Sequence, residues 1–376
     1  MGNSLDERLG KTKFGVFESA LASLLFIIYN FIFLELYYLI PMSSRGSGII
    51  YYTASFLIEF LFAVAAFTVA KSRKYNFFAA NGMRNKINGK LVWLGFAISV
   101  VCLIFFSNLT DVFIEFLYAI GYTSQLSDLT IDTFLKFIIY VFISCLTPAI
   151  CEEILFRGTI LSGLKAHGIK IAVGISAVIF TLMHGNPEQT VHQFIIGIII
   201  GYIFFKSGNL WLGVIIHFFN NFISVSLSYV LNLMIKSGVL TTGNSAEGAT
   251  VQVTAMSLMF SLISAVIFAV LGYFAVRALI RKMLNENERV NGQKATSDLE
   301  GVTTINVDGN EVKTTMMIDD EELDSQDKGL EQVVPGTGVE EKTKAISIPT
   351  IVLFALSGAY LIFEWVSSLL VGIGIV

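Results

Sequence analysis

The stretch TPAICEEILFRG, from Thr147 to Gly158, places two adjacent glutamates and an arginine directly after a run of apolar residues. Ionisable side chains at membrane depth are costly, so each of them is a candidate for function. Glu153 and Arg157 have the spacing and order that favour an ion pair on one helix face. Glu152 points about 100° away and has no partner in the local sequence. An unpaired carboxyl group in a low dielectric suits proton transfer.

Pro148 precedes Glu152 by one helical turn. Because proline removes one helix hydrogen bond, it can bend this helix and open a cavity beside the carboxyl group. The alternative interpretation of the stretch is an ion-paired cap at the membrane surface, just past the hydrocarbon.

The composition is that of a membrane protein. The chain has 376 residues, of which 54% are hydrophobic and 14% are charged, whereas a soluble domain carries about 25% charged residues. The apolar runs are long enough to cross about 30 Å of hydrocarbon, which predicts an all-α polytopic fold of about eight or nine transmembrane helices around an intramembrane polar cavity. The predicted spans are 14–41, 49–70, 91–107, 131–151, 171–185, 191–205, 209–232, 252–276 and 347–374.

The segment 281–346 differs in composition from the rest of the chain. Between Arg281 and Ala345 it has fifteen acidic residues against eight basic ones, and it lacks helical periodicity. Such a segment cannot bury enough apolar surface to order itself, so we predict a disordered cytoplasmic insert. No basic groove with interleaved aromatic residues indicates nucleic-acid binding, and the three cysteines form no metal or disulfide pattern.

Two of the four histidines lie in apolar runs. His184 ends the run AVIFTLMHG, with Phe180 one turn earlier, and His217 lies in WLGVIIHFFNNF, with Asn221 one turn later. A single buried histidine is usually a satisfied core residue. Here two histidines, an amide and Glu152 occur on three neighbouring predicted spans, where they supply a base, a second proton carrier or ligand, and donors for an oxyanion.

The other two histidines are weaker candidates. His167 lies in the basic loop LKAHGIK, where solvation is the simpler interpretation. His192 begins a span beside Gln193, where a polar role at the membrane surface is more usual than chemistry.

The three motifs, in this order, resemble those of the CAAX-protease and bacteriocin-processing family of intramembrane endopeptidases. That family includes the type II CAAX prenyl proteases and the lysostaphin-resistance-type proteins. Its pattern is EExxxR, then FxxxH, then HxxxN or HxxxD. In this chain the pattern is carried by Glu152 to Arg157, Phe180 to His184 and His217 to Asn221, and the match covers residues 131–232.

The resemblance implies that Glu152 is the base that activates water, assisted by His184. It places His217 and Asn221 around the attacked carbonyl oxygen. It also implies a peptide or protein substrate in the lipid bilayer, which can be lipidated or membrane-anchored, and it adds bacteriocin self-immunity as a biological setting. The supporting residues that it implies are Glu153, Arg157 and Phe180.

The residues leave the question of a metal open. Glu152, His184 and His217 can hold zinc with one position free for water, as in a metalloendopeptidase. The same residues can work without a metal, with Glu152 as the base and a hydrogen-bonded oxyanion site. The local zinc-protease signature HExxH is absent.

Two functions of other classes remain as alternatives. One is a proton-coupled transporter in which Glu152 and His184 relay protons, although no internal repeat of the hydropathy pattern supports it. The other is a non-catalytic immunity or scaffold protein of the same fold. All three motifs are complete, which argues against a protein that has lost its catalytic residues.

These interpretations divide the chain into five parts. The predicted catalytic core lies between N-terminal transmembrane helices and a further transmembrane helix, and the acidic insert precedes a last transmembrane helix. In order, the parts are 1–130, 131–232, 233–280, 281–346 and 347–376.

Lysine and arginine in the loops predict the orientation. The N-terminal segment 1–13 and the loop 71–90 are rich in basic residues, so nine spans place the N terminus in the cytoplasm of a multi-pass protein of the cell membrane. We therefore expect reporter fusions in the loop 71–90 and in the insert 281–346 both to give cytoplasmic signals. Reporters on opposite sides of the membrane would contradict the nine-span topology.

Overall fold

The computed structural model describes residues 14–41, 48–124, 130–239, 255–292, 305–307, 310–312 and 347–375. Apart from one short pair of strands, the regular structure in these residues is helical. The helices are α1 (Val16–Tyr38), α2 (Gly48–Ser72), α3 (Phe77–Ala80), α4 (Gly89–Ala119), α5 (Phe134–His167), α6 (Ile169–Leu182), α7 (Thr190–Ser207), α8 (Leu210–Lys236), α9 (Ala255–Asn291) and α10 (Ile348–Gly372).

Eight helices in the described part of the chain are long and apolar enough to cross a membrane. The remaining predicted span corresponds to α6, which has only 14 residues, fewer than the roughly 20 that a crossing needs. The prediction of an all-α polytopic fold with eight or nine transmembrane helices is therefore confirmed. The chain is a multi-pass membrane protein.

The fourth predicted span ends much later than the sequence indicated. We expected it to end at residue 151, but α5 continues to His167 and has 34 residues. Glu152 therefore lies in the middle of a long helix. The exposed fractions of Glu152, Glu153 and Arg157 are 5%, 0% and 1%, so the three side chains are packed inside the protein. The hydropathy pattern predicted too early an end for this span, because the charged side chains are paired inside the protein.

Two wider helical turns interrupt α5. The segments Val141–Leu146 and Phe156–Leu161 are π-helical and flank the α-helical stretch Thr147–Leu155. In the first of them the Thr147 amide and hydroxyl both donate to the Phe142 carbonyl, five residues back. Each π-helical turn changes which face the following residues present, so these turns orient the buried charged residues.

Pro148 lies directly after the first π-helical segment. Proline has no N–H, so the carbonyl four residues before it, that of Ser144, loses its usual helical donor. The Asn221 side-chain amide of α8 donates to this Ser144 carbonyl at 3.1 Å. The hydrogen bond that proline removes from α5 is thus replaced by one between α5 and α8.

Close contacts of small residues hold α5 against its neighbours. The Ser19 hydroxyl of α1 donates to the Ile160 carbonyl of α5 at 2.9 Å. Gly163 faces the start of α1, where an added Cβ would lie 2.1 Å from Ser19 Oγ and 2.4 Å from Gly15 O. Such close approaches of backbone to backbone are typical of membrane helix packing. Lipid provides no hydrophobic driving force between helices, and small residues let the helices pack closely instead.

The structure describes only short parts of the segment from Asn291 to Ala345. Within it, β1 (Ile305–Val307) and β2 (Asn310–Val312) pair antiparallel. The predicted disorder of the insert otherwise falls outside the described residues.

The predicted start of the insert at residue 281 is wrong, because α9 continues to Asn291. The carboxylate of Glu286 explains the extension. It forms ion pairs with Arg289 of the same helix and with Lys90 of α4, and it accepts a hydrogen bond from Asn88 at 2.6 Å. A test of helical periodicity in the sequence cannot detect these contacts.

Gly163→Ala should lower the melting temperature of the purified protein in detergent. The added methyl group meets a backbone carbonyl that cannot move cheaply, and overpacking of this kind costs about 1–3 kcal/mol. Gly174→Ala in α6 is the matched control, because nothing lies within 4 Å of an added Cβ there. Equal melting temperatures for the two variants would show that α1 does not pack as described.

Candidate active site

Glu153 is the centre of the buried polar cluster. Its Oε1 accepts a hydrogen bond from Arg157 Nη1 at 2.8 Å, as the spacing of the two residues predicted. The same oxygen lies 2.9 Å from His217 Nδ1 of α8. Arg157 also donates through Nη2 to the Gly197 carbonyl of α7 at 3.3 Å. One carboxylate and one guanidinium thus connect α5, α7 and α8.

The position of Gly213 on α8 leaves room for the Glu153 carboxylate. A Cβ at this position would lie 2.9 Å from Glu153 Oε2 and 2.8 Å from Ile200 Cγ2. The glycine therefore lets α8 approach the carboxylate closely enough for His217 to reach it.

The contact with Glu153 orients the His217 ring. Because the Glu153 carboxylate can only accept, Nδ1 of His217 carries a hydrogen and donates it. The other ring nitrogen, Nε2, lies 4.0 Å from Glu152 Oε2. His217 thus presents Nε2 to the region beside Glu152.

The Phe180 ring contacts both histidines and the arginine of the site. The centroid of its ring is 4.9 Å from that of His184 and 5.9 Å from that of His217, in edge contacts. The guanidinium carbon of Arg157 lies 4.5 Å from the same centroid, a cation–π distance. The structure therefore brings His184 and His217 to one aromatic ring.

His184 is held by the backbone of its own helix end. Its Nδ1 lies 2.8 Å from the Phe180 carbonyl oxygen, to which it donates. This bond leaves Nε2 as the ring nitrogen with a free lone pair when the histidine is neutral. No hydrogen bond joins His184 directly to Glu152 in the described part of the chain.

Asn221 is positioned by α5 and by its own neighbour. One N–H of its amide donates to Ser144 O, and Asn220 Nδ2 donates to Asn221 Oδ1 at 3.4 Å. An amide nitrogen carries two hydrogens, so a second N–H of Asn221 remains for another acceptor.

The two weaker histidines differ in their surroundings. His192 is half-buried on α7, where its Nε2 accepts a hydrogen bond from Asn220 Nδ2 at 3.1 Å. It is therefore connected to the neighbour of Asn221, whereas the sequence suggested only a role at the membrane surface. His167 is half-buried in the last turn of α5.

Sequence reasoning missed Glu59. This residue lies in the middle of α2, and its Oε2 is buried with no hydrogen-bond partner among the described residues. The signal was present, because a lone glutamate within the apolar run SFLIEFLF is a candidate for function by the same rule that identified Glu152. It was missed because it belongs to none of the three motifs.

The donor atoms do not form a ready metal site. Among the described residues, no three side chains of His, Cys, Asp or Glu converge as metal ligands. His217 Nε2 and Glu152 Oε2 are 4.0 Å apart. Among the described residues, Glu152, His184 and His217 are thus not gathered as one set of metal ligands.

The cluster has the components of a hydrolytic site. It contains a buried carboxyl group whose Oε2 accepts no N–H donor, Glu152, and an imidazole nitrogen, His217 Nε2, that faces it. A peptide-sized intramembrane cavity beside these groups stays a prediction.

Comparison with known proteins places this cluster in a family. Residues 134–223 match the family described as type II CAAX prenyl endopeptidase, Rce1-like. The matched segment contains all three motifs and runs from the start of α5 into α8. Searches of curated proteins and of solved structures find no match. The predicted resemblance is confirmed: over residues 134–223 the chain carries a domain of the Rce1-like type II CAAX prenyl endopeptidase family, a family of peptidases.

Proposed function

We propose that this chain is an intramembrane endopeptidase that hydrolyses a peptide bond near the membrane surface, with Glu152 activating the attacking water. The observation that carries the proposal is the contact of Glu152 with His217. Glu152 Oε2, a buried carboxyl oxygen without an N–H donor, lies 4.0 Å from His217 Nε2. Glu153 holds the His217 ring through its other nitrogen, Nδ1.

In the first step Glu152 takes a proton from water while the water oxygen bonds to the peptide carbonyl carbon. General-base catalysis of this kind contributes about 10²–10⁴-fold in rate. His184, through Nε2, assists in orienting the water. The product of the step is a tetrahedral centre whose oxygen carries a negative charge.

His217 and Asn221 stabilise that oxygen. The second N–H of Asn221 is one donor, and Nε2–H of His217 is the other when the ring is protonated. The Glu153 carboxylate at 2.9 Å from Nδ1 stabilises this positive charge. Preorganised donors at a developing oxyanion are worth more inside a dry site than in water. When the C–N bond breaks, the proton from Glu152 passes to the leaving nitrogen.

Glu153, Arg157 and Phe180 support these groups without reacting. The ion pair fixes His217, and the Phe180 ring packs against both histidines. The family supports peptide substrates within the membrane, and we propose that they are lipidated or membrane-anchored proteins. We also propose that the N terminus lies in the cytoplasm and that the site is reached from that side.

The direct test is cleavage of membrane-anchored peptides by the purified protein in detergent, with and without a chelator. Cleavage that persists with chelator supports the metal-free mechanism, and loss that added zinc restores supports a metalloendopeptidase. Binding of a peptide without cleavage supports a non-catalytic immunity protein. Proton flux without cleavage supports a transporter.

Glu152→Gln should lower kcat by about 10²–10⁴-fold, because it keeps the shape of the side chain and removes the base. The measurement is peptide cleavage by protein that elutes as the wild type does in size exclusion. Glu35→Gln, at an exposed position of α1, is the control. Turnover near the wild-type value in Glu152→Gln would show that Glu152 is not the base.

Glu153→Gln should instead reduce stability, because it leaves the Arg157 guanidinium buried without a negative partner. Removing one member of a buried pair costs about 3–5 kcal/mol. We expect a lower melting temperature and a lower yield than for Glu152→Gln, which breaks no ion pair with arginine. A melting temperature equal to that of the wild type would contradict the structural role of Glu153.

A further inference from the structure

Four residues on three helices form a hydrogen-bonded series, only one member of which takes part in the proposed reaction. The Asn221 amide of α8 donates to the Ser144 carbonyl of α5 at 3.1 Å. Asn220 Nδ2 donates to Asn221 Oδ1 at 3.4 Å and to His192 Nε2 of α7 at 3.1 Å. Asn221 is the proposed oxyanion donor, and the series connects it to His192 through Asn220.

The Ser144 carbonyl sets the direction of this series. A carbonyl oxygen can only accept, so the nitrogen of the Asn221 amide faces Ser144 and its oxygen faces Asn220. The Asn221 oxygen is again only an acceptor, so Asn220 presents Nδ2 to it. One backbone carbonyl thus fixes which way round both side-chain amides stand.

The same direction requires an acceptor at position 192. The amide nitrogen of Asn220 is only a donor, so the ring nitrogen that faces it, His192 Nε2, carries no hydrogen. In a neutral imidazole the hydrogen is then on Nδ1. Asn220 is 7% exposed, and a buried N–H without an acceptor costs its full desolvation penalty. The neutral His192 ring therefore holds the Asn220 amide in the orientation that donates to Asn221.

We propose that His192 is a positioning residue for the reaction. As a neutral acceptor it holds Asn220, and Asn220 holds the oxygen of Asn221, so that the second N–H of Asn221 stays directed at the oxyanion. The inference rests on the proposed function for its catalytic meaning, whereas the direction of the hydrogen bonds does not depend on it. His192 itself neither touches the substrate nor exchanges a proton with it.

A double-mutant cycle measured by peptide cleavage tests this role. His192→Leu should lower kcat and leave KM unchanged, because the oxyanion forms only in the transition state. The decrease should not exceed about 10²–10³-fold, the cost of removing one oxyanion donor. In the Asn221→Leu background, His192→Leu should have no further effect. A residue that only supports the fold would lower the rate in both backgrounds, and that result would overturn the proposal.

Two polar substitutions at position 192 show which atom matters. Glutamine places Oε1 the same number of bonds from Cβ as histidine places Nε2, so His192→Gln keeps an acceptor for Asn220 and should restore most of the rate. Asparagine places its oxygen where histidine has Nδ1, so His192→Asn should be as slow as His192→Leu. Equal rates for the glutamine and asparagine variants would overturn the proposal.

Gln193→Leu is the matched control. Gln193 is the next residue of α7 and is half-buried like His192, but its amide donates to Gln189, four residues earlier. The substitution removes a polar side chain of the same helix without touching the series, so kcat should stay at the wild-type value. An equal loss of rate in Gln193→Leu and His192→Leu would show a general effect on α7 and would overturn the proposal.

The tautomer of His192 is a readout that does not depend on cleavage. In the wild-type protein with ¹⁵N-labelled histidine, the NMR signal that is absent from His192→Gln should show a hydrogen on Nδ1 and none on Nε2 at neutral pH. A hydrogen on Nε2 would overturn the proposal even if His192→Leu does not fold.

Kinetics and tautomer together separate this proposal from the proposed function. If Glu152→Gln and Asn221→Leu both cleave as the wild type does, the proposed function is wrong, and the tautomer alone decides whether His192 holds Asn220. If both variants are slow while His192→Leu keeps the wild-type kcat, the positioning role is wrong and the proposed function stands.

Discussion

The structure depends on one oxygen atom, Oε1 of Glu153, which binds both Arg157 and His217. A carboxylate and a guanidinium are costly to remove from water, and their attraction offsets that cost only when the geometry is good and the remaining groups are bonded. Here the guanidinium also reaches the Gly197 carbonyl and the Phe180 ring. The ion pair therefore requires α7 and α8 to lie where they do, and it allows a second glutamate, Glu152, to be buried beside it without an arginine of its own.

The proline of α5 has a similar effect on the position of Asn221. Pro148 has no N–H to donate to the Ser144 carbonyl four residues before it, and in a membrane that group cannot turn to water. The Asn221 amide supplies the missing hydrogen bond. A defect in one helix thereby fixes a side chain on another, and the asparagine that we propose as an oxyanion donor is held before any substrate binds. The π-helical turns on either side of Thr147–Leu155 absorb the distortion within α5.

Sequence reasoning was most successful where hydrophobicity and spacing carry the signal. All nine apolar runs correspond to helices, and the pairing of Glu153 with Arg157 followed from their spacing. It failed at two boundaries for one reason. The ends of α5 and α9 were placed too early because the predicted spans stop at the first charged residues, near 152 and 277. Side chains from other helices pair with Glu153 and Glu286 farther along these helices. Glu59 was missed because it has no motif.

The sequence by itself determined the chemical groups, their order along the chain, the membrane setting and the family of the segment 134–223. It could not determine that His217 meets Glu153, 64 residues away along the chain. Such contacts depend on how each helix is rotated about its axis, and one residue of a helix corresponds to about 100° of rotation. Two π-helical turns in α5 alter that rotation, and local sequence does not reveal them. Tertiary packing decided which polar side chains share the buried cluster, because only there can each find the partner that the lipid does not provide.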